Sequence, residues 1–387
     1  MDLFKVNFIH NSLIATVNFS DLPKESKQKK KFVIDIRMWR HSGIGTYIKS
    51  TVLRVINAFP NVEFTLIIGI DFDEKELNWP NNVSFLLFSS SIYTIREQIE
   101  FIKKVNGRYD YFWSPHYNIP IFFMGKLFAT VHDVFHLAIP QYNKGLKKIY
   151  ARILFTVLRF RAKKIFTVSE FTKQELIKYI GVKPKKIIAI SNGIEEEWFA
   201  LPQSERVLEK PYVLYVGNVK PHKNLISLIQ AFKLIKDEIK QDLVIVGKKE
   251  GFITGDKFIG KAAEELSDRI VFTGYVSDEL LKRYYKHADV LVFPSIYEGF
   301  GLPPLEAMAV NCPTIVSNKA SIPEVCEDAS LYIDPHNPMD IAEKILLVLK
   351  NEEIKKDLIG RGKAHVKKFK WRNTSEQIIQ EFKEVLK

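Results

Sequence analysis

The sequence predicts an α/β protein built from two doubly wound parallel sheets. Three observations carry that expectation. The chain has 387 residues, too many for one ordinary core. Short unbroken runs of Val, Ile, Leu and Phe recur through both halves and end in Gly, Ser, Asp or Pro, as strands buried on both faces do. Segments with helical spacing separate them. A hydrophobic share of 46% beside 26% charged residues excludes a disordered or fibrous chain.

Taken in order, residues 1–31 are expected to form an N-terminal extension ending in the polar run "PKESKQKKK". Its opening residues lack a positive start and an unbroken apolar core, so a secretory signal is not expected. Strand-like runs follow in "KFVIDI", "EFTLIIG", "YDYFWSP", "LFATVHD" and "KIFTVSE". They assign residues 32–195 to a first Rossmann-like domain. Periodicity lapses in "NGIEEEWFALPQSERVLEKPY", which reads as the boundary. Residues 196–370 form a second such domain, with strands in "YVLYVGN", "DLVIVGK", "RIVFTGY", "DVLVFPS" and "PTIVSN". Helical spacing appears in "NLISLIQAFKLIKDEI" and in "SDELLKRYYKHA", where Ser277 is the expected N-cap. Residues 371–387 read as a terminal helix.

Cys312 and Cys326 are too few for a disulfide framework and suit a reducing compartment. No run approaches the ~18 apolar residues of a membrane span. Charge is uneven: residues 1–193 hold 29 Lys and Arg against 15 Asp and Glu, and the rest hold 28 against 30. The basic half is expected to face something anionic. Stacking aromatics are not interleaved on a basic strand face, so nucleic acid is not an expected partner.

Four stretches carry chemistry. In "HSGIGTY", Gly43 and Gly45 make a tight turn whose backbone can approach an anion before a helix starts. It lacks the third glycine of a dinucleotide fingerprint, which argues against a nicotinamide dehydrogenase. In "TVHDVFH", His132 and Asp133 end a strand, at the edge where such sheets bind ligands. With His136 they show no trustworthy metal spacing, so no metal is expected. In "YVGNVKPHKNL", Lys220, His222 and Lys223 add charge after a glycine turn, favouring a phosphate. In "SIYEGFGLPPLEAMA", Pro303 and Pro304 mark a helix start, and Phe300, Gly301 and Leu302 supply the nearest amides. Glu306 is expected near that helix's first turn, where it can accept two vicinal ribose hydroxyls, and Glu298 precedes the turn. The Asp71–Asp73 pair resembles the Asp-x-Asp of metal-dependent sugar transferases but reads as a solvated acidic loop.

"KKIYARILFTVLRFRAKK", residues 147–164, reads as a helix with Lys148, Arg152, Arg159 and Lys163 on one face. Ile149, Ile153, Leu154, Val157, Leu158 and Phe160 fall on the opposite, buried arc. The cationic face suits an anionic membrane or a lipid-diphosphate acceptor.

These stretches occur together and in order with "VSEFTKQEL", "ISNGI", "VFTGYVSDELL" and "SIPEVCEDASLYIDP". From about residue 32 to the C-terminus the chain resembles glycosyltransferase family 4, retaining enzymes of the GT-B fold, close to bacterial mannosyltransferases. The resemblance implies two Rossmann-like domains facing a cleft and a hexose moved from a nucleotide diphosphate sugar to a glycan or lipid-linked acceptor. GDP-mannose is the favoured donor, with UDP- and dTDP-sugars open. It implies that Lys223 neutralises the diphosphate, with Lys220 or His222 supplying charge where Asn218 replaces a common arginine. Tyr275 and Val276 would contact the base and Glu306 the ribose. Glu298 and the 300–302 amides would hold sugar and phosphate, while Gly43 and Gly45 approach the diphosphate and His132 sits by the anomeric carbon. No cofactor is implied, and the setting is cytoplasmic, on the inner face of a membrane. A sugar-nucleotide epimerase of similar shape and a non-catalytic carbohydrate binder are the rival readings.

Overall fold

The computed structural model describes residues 29–139, 146–202, 205–247, 266 and 268–386. Residues 1–28 of the expected extension lie outside that range.

Seven strands form the first sheet: β1 (Lys31–Asp35), β2 (Glu63–Ile68), β3 (Val83–Leu87), β4 (Tyr111–Ser114), β5 (Lys126–Val131), β6 (Ala162–Thr167) and β7 (Ile187–Ala189). All neighbours are parallel, in the order β3-β2-β1-β4-β5-β6-β7. The second sheet holds β8 (Tyr212–Val216), β9 (Asp242–Val246), β10 (Ile270–Gly274), β11 (Val290–Phe293), β12 (Thr314–Ser317) and β13 (Leu331–Ile333). Its order is β10-β9-β8-β11-β12-β13, again parallel. Every apolar run read as a strand is one. Three edge strands escaped that reading: β3, β7 and β13 are short or half-exposed and lack the doubly buried signature.

The strand order reverses between β1 and β4 in one sheet and between β8 and β11 in the other. Loops leaving adjacent strands there diverge to opposite faces and open a crevice at the carboxyl ends, where doubly wound sheets bind ligands. The four loops that follow these strands carry Gly43, His116, Lys223 and Glu298.

Helices α1 (Ile44–Asn57), α2 (Ile95–Lys104), α3 (Phe135–Ala138), α4 (Leu146–Arg161) and α5 (Glu170–Ile180) belong to the first lobe. The second contains α6 (Leu225–Ile235), α7 (Asp278–His287), α8 (Leu302–Ala309), α9 (Ile322–Cys326), α10 (Pro338–Lys350) and α11 (Glu352–His365). Local chemistry sets their starts. Ser169 accepts from the Thr172 N–H, and Ser277 accepts from the Leu280 N–H at 3.3 Å, the expected cap.

The last helix, α12 (Trp371–Leu386), returns to the first lobe and packs against α1. Phe382 stands edge-on to Phe32, Trp113, Phe128 and Phe166, with ring centroids 5.1–5.7 Å apart. The chain therefore crosses between lobes twice, and the crossings touch. Gly193 lies so close to the return strand that a Cβ there would sit 2.0 Å from the Trp371 nitrogen, so only glycine fits.

The helix read over 147–164 ends sooner. Arg161 is its last residue and Lys163 lies on β6, so Lys163 does not belong to the helical cationic face. Of the expected buried arc, Leu154 and Leu158 are buried and Val157 is half-buried, but Ile149, Ile153 and Phe160 are exposed, while Ala151 and Phe155, outside that arc, are buried. The buried face is turned from the apolar arc, because Phe155 packs into the lobe's core with Leu154 and Leu158, and Ala151 is buried on the same side.

Candidate active site

At the first lobe's rim, Gly43 precedes α1 with φ 71°, a backbone that favours glycine. Gly45 needs the absence of a side chain for a different reason: a Cβ would fall 2.4 Å from the Trp39 carbonyl. His132 follows β5, and its Nε2 lies 2.9 Å from the Pro115 carbonyl. A carbonyl only accepts, so Nε2 carries the proton and Nδ1 keeps its lone pair. Burial holds the ring below its ordinary pKa, despite the opposing Pro115 contact and Asp133 charge. His132 is therefore a neutral group with one acceptor nitrogen.

In the second lobe a single 3₁₀ turn, Pro221–Lys223, carries the basic loop. Asn224 pins it, adopting φ 55° and donating from Nδ2 to the carbonyls of Pro294 and Pro335 at 3.2 and 2.6 Å. The Ile296 N–H donates to the His222 carbonyl at 2.8 Å, tying this loop to the Glu298 loop. Lys223 Nζ consequently sits 2.5 Å from Glu298 Oε1, both side chains mostly buried. The residues expected to handle phosphate and sugar thus meet, although 75 positions apart.

His222 does not supply the charge missing at Asn218. Burial, then the Lys223 and Lys220 charges, push it down to about 3, so it is neutral at pH 7. Its ring packs 4.4 Å from Phe135 of the opposite lobe. Lys220 remains as the second cation. Asn218 itself reaches across the cleft, Nδ2 to Ser42 Oγ at 3.5 Å, beside the Gly43 turn.

Gly301 caps α8 at φ 104°, and Pro303 and Pro304 occupy the first turn. The Ser321 hydroxyl lies 2.9 Å from the carbonyls of both Glu298 and Phe300 and fixes that loop. Because α8 begins at Leu302, Glu306 stands on its second turn and not, as the sequence suggested, near its first. The carboxyl is held by Tyr285, whose hydroxyl donates to Oε2 at 2.7 Å. Burial raises Glu306 to about 7, with the Tyr285 bond opposing and Asp278 adding to the rise. Tyr275 and Val276 follow β10; Tyr275 is exposed and Val276 packs against the lobe's core.

Tertiary contacts across the cleft were not read from the sequence. Ser169 Oγ donates to the Gly299 carbonyl at 2.6 Å, and Thr172 Oγ1 donates to the same oxygen at 3.2 Å. A Cβ on Gly299 would fall 1.7 Å from the His132 carbonyl, so the lobes touch through bare backbone. Glu324 accepts from the Glu170 and Phe171 N–H groups at 2.7 and 2.8 Å, a carboxylate of one lobe capping a helix of the other. These residues lie in "VSEFTKQEL" and "SIPEVC", whose order was legible but whose contacts were not. Tyr285 was likewise missed, lying on a helix face with nothing to mark it as polar in function.

Lys148, Arg152 and Arg159 lie on α4 of the first lobe. Asp71 and Asp73 are exposed in the loop after β2, where Asp73 accepts from the Lys75 N–H at 2.9 Å.

Two family descriptions match the chain: "Glycosyl transferases group 1" over residues 196–365 and "Glycosyltransferase Family 4" over residues 72–198. O-antigen chain mannosyltransferase B of Escherichia coli is 28% identical over 383 residues, 88% of this chain and 96% of the relative. O-antigen chain mannosyltransferase RfbU of Salmonella typhimurium is 31% identical over 265 residues, 68% of this chain and 71% of the relative. Among solved structures, sucrose-phosphate synthase from Thermosynechococcus elongatus superposes with TM-score 0.73 at 19% identity, covering 92% of this chain and 99% of that one. Anabaena HepE in complex with UDP-glucose gives 0.71 at 13%, covering 92% and 99%. Such low identities speak for the fold, which is GT-B. The matches favour a glycosyltransferase over the epimerase reading. With both descriptions meeting in the linker between its two sheets, the chain belongs to glycosyltransferase family 4, in the group 1 glycosyl transferases.

Proposed function

We propose that this enzyme transfers a mannosyl group, with retention, from GDP-mannose to a glycan or lipid-linked acceptor of a cell-surface polysaccharide. The observation that carries the reading is the Lys223–Glu298 pair at the second sheet's switch point, beside the start of α8. Mannose is favoured because the named curated relatives are mannosyltransferases of O-antigen chains. UDP- and dTDP-sugars are the alternative donors.

Departure of the diphosphate leaves positive charge on the anomeric carbon and negative charge on the leaving oxygen. The Lys223 ammonium, with Lys220 and the amides of Phe300, Gly301 and Leu302, stabilises that oxygen. The bond from C1 to the phosphate oxygen breaks as the acceptor oxygen bonds C1 from the same face. The acceptor's proton passes to the departing phosphate, so the products are glycoside and nucleoside diphosphate, and no protein nucleophile is required. Glu298 takes hydrogen bonds from sugar hydroxyls, and Glu306 holds the ribose diol with Tyr275 and Val276 against the base. Gly43 and Gly45 bring first-lobe backbone to the diphosphate, with His132 beside C1. Lysines in place of a divalent ion predict turnover in EDTA. The setting is cytoplasmic, at a membrane's inner face.

Lys223→Ala should lower kcat about 10²–10³-fold, the cost of one such donor. It also strands Glu298, so Lys223→Ala/Glu298→Gln serves as the stability control: its Tm recovers and its turnover does not. Unchanged turnover in Lys223→Ala would remove the lysine from the chemistry. A thermal-shift series of nucleoside diphosphates, with GDP expected to stabilise most, decides the donor.

A further inference from the structure

Two buried hydroxyls stand apart from the rest. Among the described residues, only Tyr215 Oη and Ser295 Oγ are enclosed side-chain hydroxyls with no hydrogen-bond partner. Both residues are fully buried. A hydroxyl shut away from water without a partner costs stability, so folded chains leave few of them. These two lie close in the fold. Tyr215 is near the carboxyl end of β8 and Ser295 just beyond β11, adjacent strands at the second sheet's switch point.

Tyr215 is aimed at the loops that carry Lys223 and Glu298. A Cβ on Gly217 would stand 3.3 Å from its hydroxyl, so the phenol ends against the glycine turn that leads to Lys223. Burial holds that phenol above its ordinary range and the Glu298 charge adds to the rise, which makes it a neutral donor with the carboxylate as a neighbour. Ser295 is tethered differently. The carbonyl before it, on Pro294, accepts from Asn224, and the N–H after it, on Ile296, donates to the His222 carbonyl. Its short side chain sits on clamped backbone and has no reach toward a moving carboxylate.

In the free enzyme Glu298 has no need of Tyr215, because Lys223 neutralises it at 2.5 Å. The transfer reading requires that pair to part: the lysine turns to the diphosphate and the carboxylate to sugar hydroxyls. The Glu298 side chain is only 13% exposed, and a carboxylate so enclosed is costly without its counter-ion unless other donors replace it. Sugar hydroxyls approach it from the cleft, and Tyr215 from the strands.

We propose that Tyr215 is the positioning residue of Glu298: its hydroxyl, unpartnered in the free enzyme, donates to the carboxylate when Lys223 turns to the diphosphate. It touches neither sugar nor phosphate. It holds the carboxylate on the sugar hydroxyls while the bond from C1 to phosphate breaks, and so serves turnover more than nucleotide binding. The unpartnered hydroxyl is stability given up in the resting enzyme for a contact made only in the donor complex. That role rests on the transfer reading above; the coupling between Tyr215, Glu298 and Lys223 does not.

A double-mutant cycle in the free, full-length protein tests the coupling without any nucleotide. Tyr215→Phe alone removes an unpartnered polar group and should raise Tm by about 2–4 °C. In the Lys223→Ala background Glu298 has lost the lysine and takes the hydroxyl, so the same change should lower Tm. A tyrosine that only fills the core moves Tm the same way in both backgrounds. Shifts of one sign in both, or a fall when Tyr215→Phe is made alone, would overturn the proposal. With GDP-mannose as donor, Tyr215→Phe should lower kcat for GDP release about tenfold or more, while KM and thermal stabilisation by GDP hold. An unchanged kcat would overturn it as well. Ser295→Ala, the comparison, should raise Tm in both backgrounds and spare kcat; a reversal or an equal kcat loss there would place the effect in the strand ends and remove the role from Tyr215. Wild-type protein that GDP does not stabilise would strike the donor reading and leave the Tm cycle to judge the hydroxyl.

Discussion

At the scale of single residues, Glu306 makes the sharpest expectation, because its proton is held by burial more than by sequence. In the free enzyme it titrates at about 7 rather than near its ordinary 4.5. A folded pKa above the unfolded value means that its contribution to stability is fullest below about 4.5 and is lost as pH rises through about 7. On the proposed reading a ribose diol donates to the ionised carboxylate, so nucleotide binding should expel that proton. GDP affinity is therefore expected to fall about tenfold between pH 8 and pH 6, measured by titration calorimetry in buffers of different ionisation enthalpy. Glu306→Gln leaves the nucleotide's own phosphate titration in place and should flatten the remainder; an identical slope in the variant would detach Glu306 from the ribose. Tyr285→Phe, which removes the one hydroxyl that opposes the rise, should move the midpoint upward.

At the scale of elements, α12 shows how a segment can belong to one lobe by contact and follow the other by sequence. Phe382 fills a hole among four aromatic rings on β1, β4, β5 and β6. Phe382→Ala should destabilise the first lobe by about 3–5 kcal/mol, the usual cost of a large core deletion. Denaturant unfolding followed by tryptophan fluorescence would report it, Trp113 lying 5.4 Å from the ring. Helix α4 teaches the opposite lesson. The face the lobe covers, with Ala151, Leu154, Phe155 and Leu158, is turned from the apolar arc of the sequence, so Ile149, Ile153 and Phe160 were assigned to a buried face they do not occupy. Periodicity reports hydrophobicity around a helix, and only the neighbours decide how much of it is covered.

At the scale of the whole molecule, the contacts between the lobes include Glu324 on the α5 amides, Ser169 and Thr172 on the Gly299 carbonyl, Asn218 on Ser42, His222 and Tyr297 on Phe135, and the paired crossings at Gly193 and Trp371. The crossings are covalent and close-packed, whereas the Glu324 cap is exposed and costs little to release. Glu324→Ala should therefore leave the free energy of unfolding within about 1 kcal/mol of wild type but shift the lobes toward an open arrangement. Small-angle scattering of the free protein should give a larger radius of gyration, restored by nucleotide. An unchanged radius would show that the crossings alone set the lobe angle.

The amino-acid sequence by itself determined the class of fold, the central strands, the basic and carboxylate loops, and their order. Each of these rests on local chemistry: doubly buried strands must be continuously apolar, tight turns must contain glycine, and a helix start tolerates proline. The tertiary structure alone decided what lies far apart in the chain. It set Lys223 against Glu298, silenced His222 as a cation by burying it against Phe135, and placed Tyr285 on Glu306. It also turned the isoleucines of α2 outward, because Arg37 and Asn118 claim Glu97 from the inside. Desolvation and pairing depend on distance through space, and separation along the chain does not measure it.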